Sequence, residues 1–164
     1  MSLSPSARKV QEVLAARGFP LEVRELDQSA RTAADAAAAV GCAVGQIVKS
    51  LVFRSAHTDR VVLVVASGAN RVDEARVAAL VGEPVAKADA AFVRARTGFA
   101  IGGVPPVGHT EAPLTLIDED LMPWEAIWAA AGTPHAIFRL TPRDLLELTG
   151  GTVAPIRSRP AGLR

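Results

Sequence analysis

The stretch I47-V-K-S-L-V-F-R-S-A-H-T-D-R-V-V-L-V-V-A66 decides the fold. Ile47 to Arg54 and Arg60 to Ala66 are rich in β-branched residues, and the polar run Ser55 to Asp59 between them has the composition of a turn, so the stretch predicts a hairpin at the centre of a sheet. Alternation puts Ile47, Lys49, Leu51 and Phe53 on one face of the first strand and Val48, Ser50 and Val52 on the other. Both faces are mostly apolar. A lysine in such a strand must snorkel, pair with an acid, or open into a cleft, and the cleft is what a site for an anionic ligand needs. Ser50 points away from Lys49 unless the strand ends or bulges.

Outward from the hairpin, helices and strands mix. Ser4-Pro5 opens an amphipathic helix that runs to Gly18, and Leu21, Val23 and Leu26 suggest a short strand. Thr32 with Asp35 resembles a capping box at the head of an alanine helix ending at Gly41. Val72 to Val81 and Asp89 to Arg96 read as helices, then Leu114 to Ile117, Ile127 to Ala131 and Ala136 to Leu140 as strands. Thr141-Pro142-Arg143-Asp144 caps a last helix that stops at Gly150-Gly151, before a strand at Thr152 to Ile156. The order lacks strict βαβ alternation, which predicts an α+β single compact domain with a mixed sheet flanked by helices. Residues 1–156 form that domain, and 157–164 a short basic tail carrying Arg157, Arg159 and Arg164.

Composition narrows the function. At 164 residues the chain can bury about two-thirds of its unfolded surface without help from metal or disulfide. Its one cysteine, Cys42, cannot form an internal disulfide and is read as a passive thiol. The formal net charge of +1 does not advertise a general nucleic-acid binder, so any nucleic-acid partner must be met locally. No apolar run is long enough for a membrane span, and the start lacks a secretory pattern, which predicts a soluble cytoplasmic protein with no membrane partner. His57, His109 and His135 have no metal-ligand spacing, and neither a G-x-S-x-G elbow nor a phosphate-binding glycine motif is present. The expectation is a site without metal or cofactor.

The densest loop is R96-T-G-F-A-I-G-G-V-P-P-V-G-H109. Its glycines leave amide N–H groups uncovered and Pro105 with Pro106 stiffens the path, so it reads either as a surface turn or as a wall presenting N–H groups to a ligand oxygen. His109 closes this loop and His135 follows the turn Gly132-Thr133-Pro134; each is a turn residue or a site residue.

Taken together, V-K-S-L-V-F, T-G-F-A-I-G-G-V-P-P-V-G-H, L-T-L-I-D and A-G-T-P-H-A-I-F-R-L-T-P-R-D-L resemble the YbaK/EbsC family, which is related to the editing insertion domain of bacterial prolyl-tRNA synthetase. The resemblance runs from the first helix to about Ile156. It implies a curved mixed sheet and hydrolysis of the ester of mischarged aminoacyl-tRNA, foremost proline tRNA carrying Cys or Ala, with the acceptor end and prolyl-tRNA synthetase as partners. A non-catalytic tRNA- or small-ligand-binding module with the same pocket is the alternative. By the resemblance, Lys49, Gly102 and Gly103 are catalytic, Lys49 holding the terminal adenosine or its phosphate and loop amides polarising the ester carbonyl. Ser50, Ile101, Pro105, Pro106, Gly108, His109, Gly132 and His135 are the substrate-binding candidates. Where some cysteine-type members carry a polar residue in the strand matching Ala136 to Leu140, this chain has Ile137, Phe138 and Arg139.

Overall fold

The computed structural model describes residues 3–158 and has an α+β architecture. Five helices, α1 (Pro5–Ala16), α2 (Ala33–Val40), α3 (Glu74–Val81), α4 (Ala90–Thr97) and α5 (Pro142–Thr149), flank one mixed sheet. Its strands are β1 (Val23–Glu25), β2 (Ile47–Ser55), β3 (Val61–Ser67), β4 (Val85–Lys87), β5 (Leu114–Asp118), β6 (Ile127–Ala130), β7 (Ala136–Leu140) and β8 (Thr152–Ala154). The order is β1-β7-β6-β2-β3-β5-β8, with β4 also on β2.

The expected hairpin is the middle of that sheet, paired from Val48↔Ser67 to Arg54↔Val61. Every residue of β3 is buried, because helices cover both faces, and its run of apolar residues follows from that. On one face α1, α4 and α5 pack over Val48, Val52, Leu63 and Val65. On the other, α2 covers Ile47, Trp128 and Ile137, while Val77 of α3 joins a separate cluster with Phe53, Val62 and Val64. Between those two patches lie Lys49 and Leu51, both only half-buried.

Local chemistry sets the helix ends. Thr32 accepts the Asp35 N–H at 3.1 Å, and Thr141 and Asp144 exchange reciprocal bonds of 3.0 Å as the capping-box pattern predicts. The third helix starts at Glu74 instead of Val72, because the Asp73 carboxylate caps the N–H groups of Ala75 and Arg76 and Val72 is engaged in a bridge with Arg157. Arg157 also lies 3.5 Å from Asp120; Arg159 and Arg164 of the expected tail fall outside the described residues. The last strand ends at Ala154.

The hairpin turn is fastened from outside. Glu83 accepts the N–H of Thr58 at 2.9 Å, its hydroxyl at 2.7 Å and the N–H of His57 at 2.7 Å, and these bonds, Thr58 first, hold its carboxyl down at about 2 from an ordinary 4.5. A carboxyl depressed on folding stabilises above its unfolded pKa and loses that contribution as pH falls through the folded one. Glu83→Gln should therefore unfold at lower denaturant than the parent at pH 7, and the difference should shrink between pH 4.5 and pH 2. An equal difference at pH 7 and pH 2 would exclude the charged form as the cause.

Candidate functional site

Lys49 and Ser50 lie where β2 loses a neighbour. One edge of β2 is paired throughout by β3, but on the other edge β6 pairs only Ile47 and Val48 and β4 only Phe53 to Ser55. Lys49 to Val52 thus face a gap in the sheet. Ile47 C=O accepts from Gly68 on the β3 side and Val52 C=O from Ala88 on the gap side. By strand parity the N–H and C=O of Ser50 therefore also point to the gap. A sheet open at this edge lets one cavity reach both faces, which explains how Lys49 and Ser50, on opposite faces, line the same space.

That cavity has a volume of about 150 Å³. Ile47, Trp128, Ile137 and Ala36 supply an apolar wall, Gly102 and Val104 the loop side, and the exposed Arg31 and Thr32 stand at its rim. Lys49 Nζ donates to the Asn70 carbonyl at 2.7 Å. Burial lowers the pKa of Lys49, the nearby Asp118 charge opposes that shift, and Lys87 and Arg71 add to it. Asn70 is itself anchored, its side-chain amide donating to Asp118 and Asp120 at 2.8 Å each. Asp118 has no exposure and also accepts the N–H groups of Ser67 and Asp120. Ser50 Oγ is buried without a hydrogen-bond partner, an orphaned polar group of the kind that a ligand satisfies.

The glycine/proline loop divides into a part that meets the cavity and a part that braces it. Gly102, at φ +98°, lines the cavity, and its N–H has no partner among the described residues. Ile101 is exposed and lines an adjoining apolar cavity that shares Ser50, Leu51, Gly102 and Val104 with the first. Gly103 does not line the cavity. Its N–H donates to Ala100 C=O at 3.1 Å, its C=O accepts from Gly132 at 2.8 Å, and a Cβ there would stand 2.6 Å from the Thr133 backbone. Gly103 is thus the place where the loop touches the β6–β7 turn.

Pro105, Pro106, Gly108, His109, Gly132 and His135 also lie away from the cavity lining. Pro105 and Pro106 are buried, and Gly108 packs toward Val13 and Phe99. His109 Nε2 lies 2.6 Å from the Pro105 carbonyl, an acceptor, so this nitrogen carries the proton and the ring ties the loop to itself. Burial pulls its pKa below the ordinary histidine value. Gly132 sits against the Ser6 backbone. His135 is exposed, its N–H bonded to Thr133 Oγ1 and its C=O to the Leu26 N–H.

The residues that sequence reasoning did not assign to the cavity include Arg31, Thr32, Val104, Trp128 and Thr133. Thr32 was visible only as a helix cap, and the apolar residues carry no chemical signal. Among the described residues no group of three or more His, Cys, Asp or Glu is placed to hold a metal ion, and no helix is long and apolar enough to cross a membrane. Cys42 is half-buried, and burial raises its thiol pKa. The cavity is therefore a small apolar space bordered by the Lys49 side chain, by the uncovered β2 edge at Ser50 and by Gly102, whose backbone N–H is uncommitted.

The sequence matches the model of the aminoacyl-tRNA editing domain family over residues 27–148. It is 31% identical over 128 residues to the uncharacterized protein YwhH of Bacillus subtilis, covering 78% of this chain and 81% of that one. It is 30% identical over 129 residues to EbsC of Enterococcus faecalis, a proposed Cys-tRNA(Pro)/Cys-tRNA(Cys) deacylase, covering 78% of each. A crystal structure of a proposed trans-editing enzyme for prolyl tRNA synthetase superposes with a TM-score of 0.92 at 53% identity, over 96% of this chain and 100% of the other.

Proposed function

The chain belongs to the aminoacyl-tRNA editing domain family, and on that premise we propose that it is a trans-editing deacylase that hydrolyses the ester of mischarged tRNA, foremost tRNA(Pro) carrying Cys or Ala. The observation that carries this reading is the convergence of Lys49, Ser50 and Gly102 on a cavity of about 150 Å³. A void of that size holds a group no larger than benzene, which suits a small side chain. Its apolar wall favours a thiol or methyl over a more polar group. A synthetase pocket separates near-isosteric side chains by only about 1–3 kcal/mol, so a second pocket adds the discrimination that the first lacks.

In this mechanism the ester is already activated, and the protein orients and polarises it. The Gly102 N–H donates to the ester carbonyl oxygen as negative charge develops there, and Lys49 holds the terminal nucleotide through an oxygen of its ribose or phosphate. The nucleophile comes from the substrate side: water oriented by the free ribose hydroxyl, or the thiol of a cysteinyl group attacking its own carbonyl. Ser50 borders the cavity at the uncovered edge of β2, where its backbone N–H can bond the substrate's polar edge. The support for Cys or Ala on tRNA(Pro) is the apolar wall of the cavity together with the descriptions of EbsC and the 53%-identical relative. On the same grounds prolyl-tRNA synthetase is the proposed partner.

A panel of tRNA(Pro) charged with Cys, Ala, Ser, Thr and Pro tests the reading. Cys- or Ala-tRNA should be deacylated at least about tenfold faster than Pro-tRNA, the lower end of what one side-chain pocket provides. Folded protein that hydrolyses none of the five would leave a binding module.

A further inference from the structure

We propose that the trough next to the aminoacyl cavity is a phosphodiester-binding site that takes the single-stranded 3′ end of the RNA. This rests on the deacylase reading and assigns the part of the substrate beyond the ester. The trough, of about 530 Å³, shares Lys49 and Leu51 with the cavity and is bordered by Asn70, Arg71, Glu74 and Lys87. A chain whose terminal ester sits in the cavity can leave past Lys49 into it.

Three cations face this trough, and Glu74 is its only lining carboxylate. Neither Arg71 nor Lys87 makes an ion pair among the described residues, whereas Arg54, Arg76, Arg96, Arg143 and Arg157 each do. Lys49 uses a single bond to protein, to Asn70, so an ammonium with three donors keeps two for a ligand. Arg71 and Lys87 both disfavour the charged form of Lys49, which marks the three cations as close enough to act on one ligand. An anion in the trough meets all three, and phosphate oxygens match both a guanidinium fork and ammonium donors. The local cation cluster also reconciles RNA binding with a formal net charge of only +1.

The test uses the whole protein and an uncharged RNA hairpin ending in a single-stranded CCA, with binding followed from low to moderate salt. Arg71→Gln and Lys87→Gln should each weaken binding, by up to about fivefold for an exposed charge contact, and reduce the log–log salt slope by about 0.7. In deacylation the loss should enter through KM. Arg143→Gln, on the exposed face of α5, should bind as the parent does. Parent-like affinity and slope in both trough variants, absence of RNA binding by the parent, or equal affinity for a hairpin lacking the CCA end would overturn the proposal. So would competition by inorganic phosphate or free AMP at the concentration at which RNA itself competes, which would make the trough a mononucleotide site. A parent that binds the CCA end with the expected slope yet cleaves no ester would sink the deacylase reading and leave the trough standing.

Discussion

Lys49→Met should lower single-turnover deacylation of the preferred mischarged tRNA by about 100-fold or more, while the melting temperature stays within a few degrees of the parent. Methionine keeps an unbranched apolar stem in a half-buried position and removes the ammonium. Lys49 positions the terminal nucleotide that carries the ester, and a displacement of about 1 Å at the reacting atoms costs about 10² in rate. Stability should change little, because the ammonium is partly desolvated at a cost and the lost partner, the Asn70 carbonyl 2.7 Å away, lies beside an open trough that water enters. Rates and thermal melts of both proteins check it. A Met variant retaining a third of the parental rate would show that Lys49 does not position the ester.

Asp118→Ala should destabilise the fold by about 3 kcal/mol or more, because each buried donor left unpaired costs about 1–3 kcal/mol. The carboxylate has no exposure and accepts from Ser67 N–H at 3.0 Å, Asn70 Nδ2 at 2.8 Å and Asp120 N–H at 2.9 Å. Alanine strands all three donors, and equilibrium denaturation measures the loss. Asp118→Asn separates the charge from the shape. Asp118 favours the charged form of Lys49, while burial, Lys87 and Arg71 oppose it; Glu74 and Arg31 also border the space around the ammonium. Removing the negative charge lets Lys49 lose its proton at lower pH. The alkaline limb of deacylation, corrected for uncatalysed ester hydrolysis, should move toward neutrality. An unmoved limb in folded Asp118→Asn would mean that the carboxylate acts on the turn alone.

Much of the fold was readable because local pattern and final environment agree. The hairpin around β2 and β3, the opposite faces of Lys49 and Ser50, and the Thr32 and Thr141 caps depend on residues a few positions apart. The strand β4 was not readable: Val85–Lys87 is three residues long, without alternation, and exists because Phe53 to Ser55 offer it an edge. The site was legible in its chemistry and illegible in its geometry. Lys49 stood out as a charge in an apolar strand, but Arg31, Val104, Trp128 and Thr133 reach the cavity from segments spread over a hundred positions. The glycine/proline loop drew attention by composition alone. Gly102 meets the cavity and Gly103, its neighbour, meets Thr133, and only the long-range approach of the β6–β7 turn separates those two fates.

The gap in the edge of β2 also bears on synthesis. The hairpin can pair as soon as both of its strands leave the ribosome, but the walls of the gap come from the loop at Gly102 and from β6 and β7, which follow some 50 to 90 positions later. Contacts so distant in sequence form late, after the loop-closure entropy between them has been overcome. A nascent chain therefore carries Lys49 well before it has a pocket. The cavity acquires its full lining only when the chain is nearly complete, since Trp128, Thr133 and Ile137 are among its last contributors.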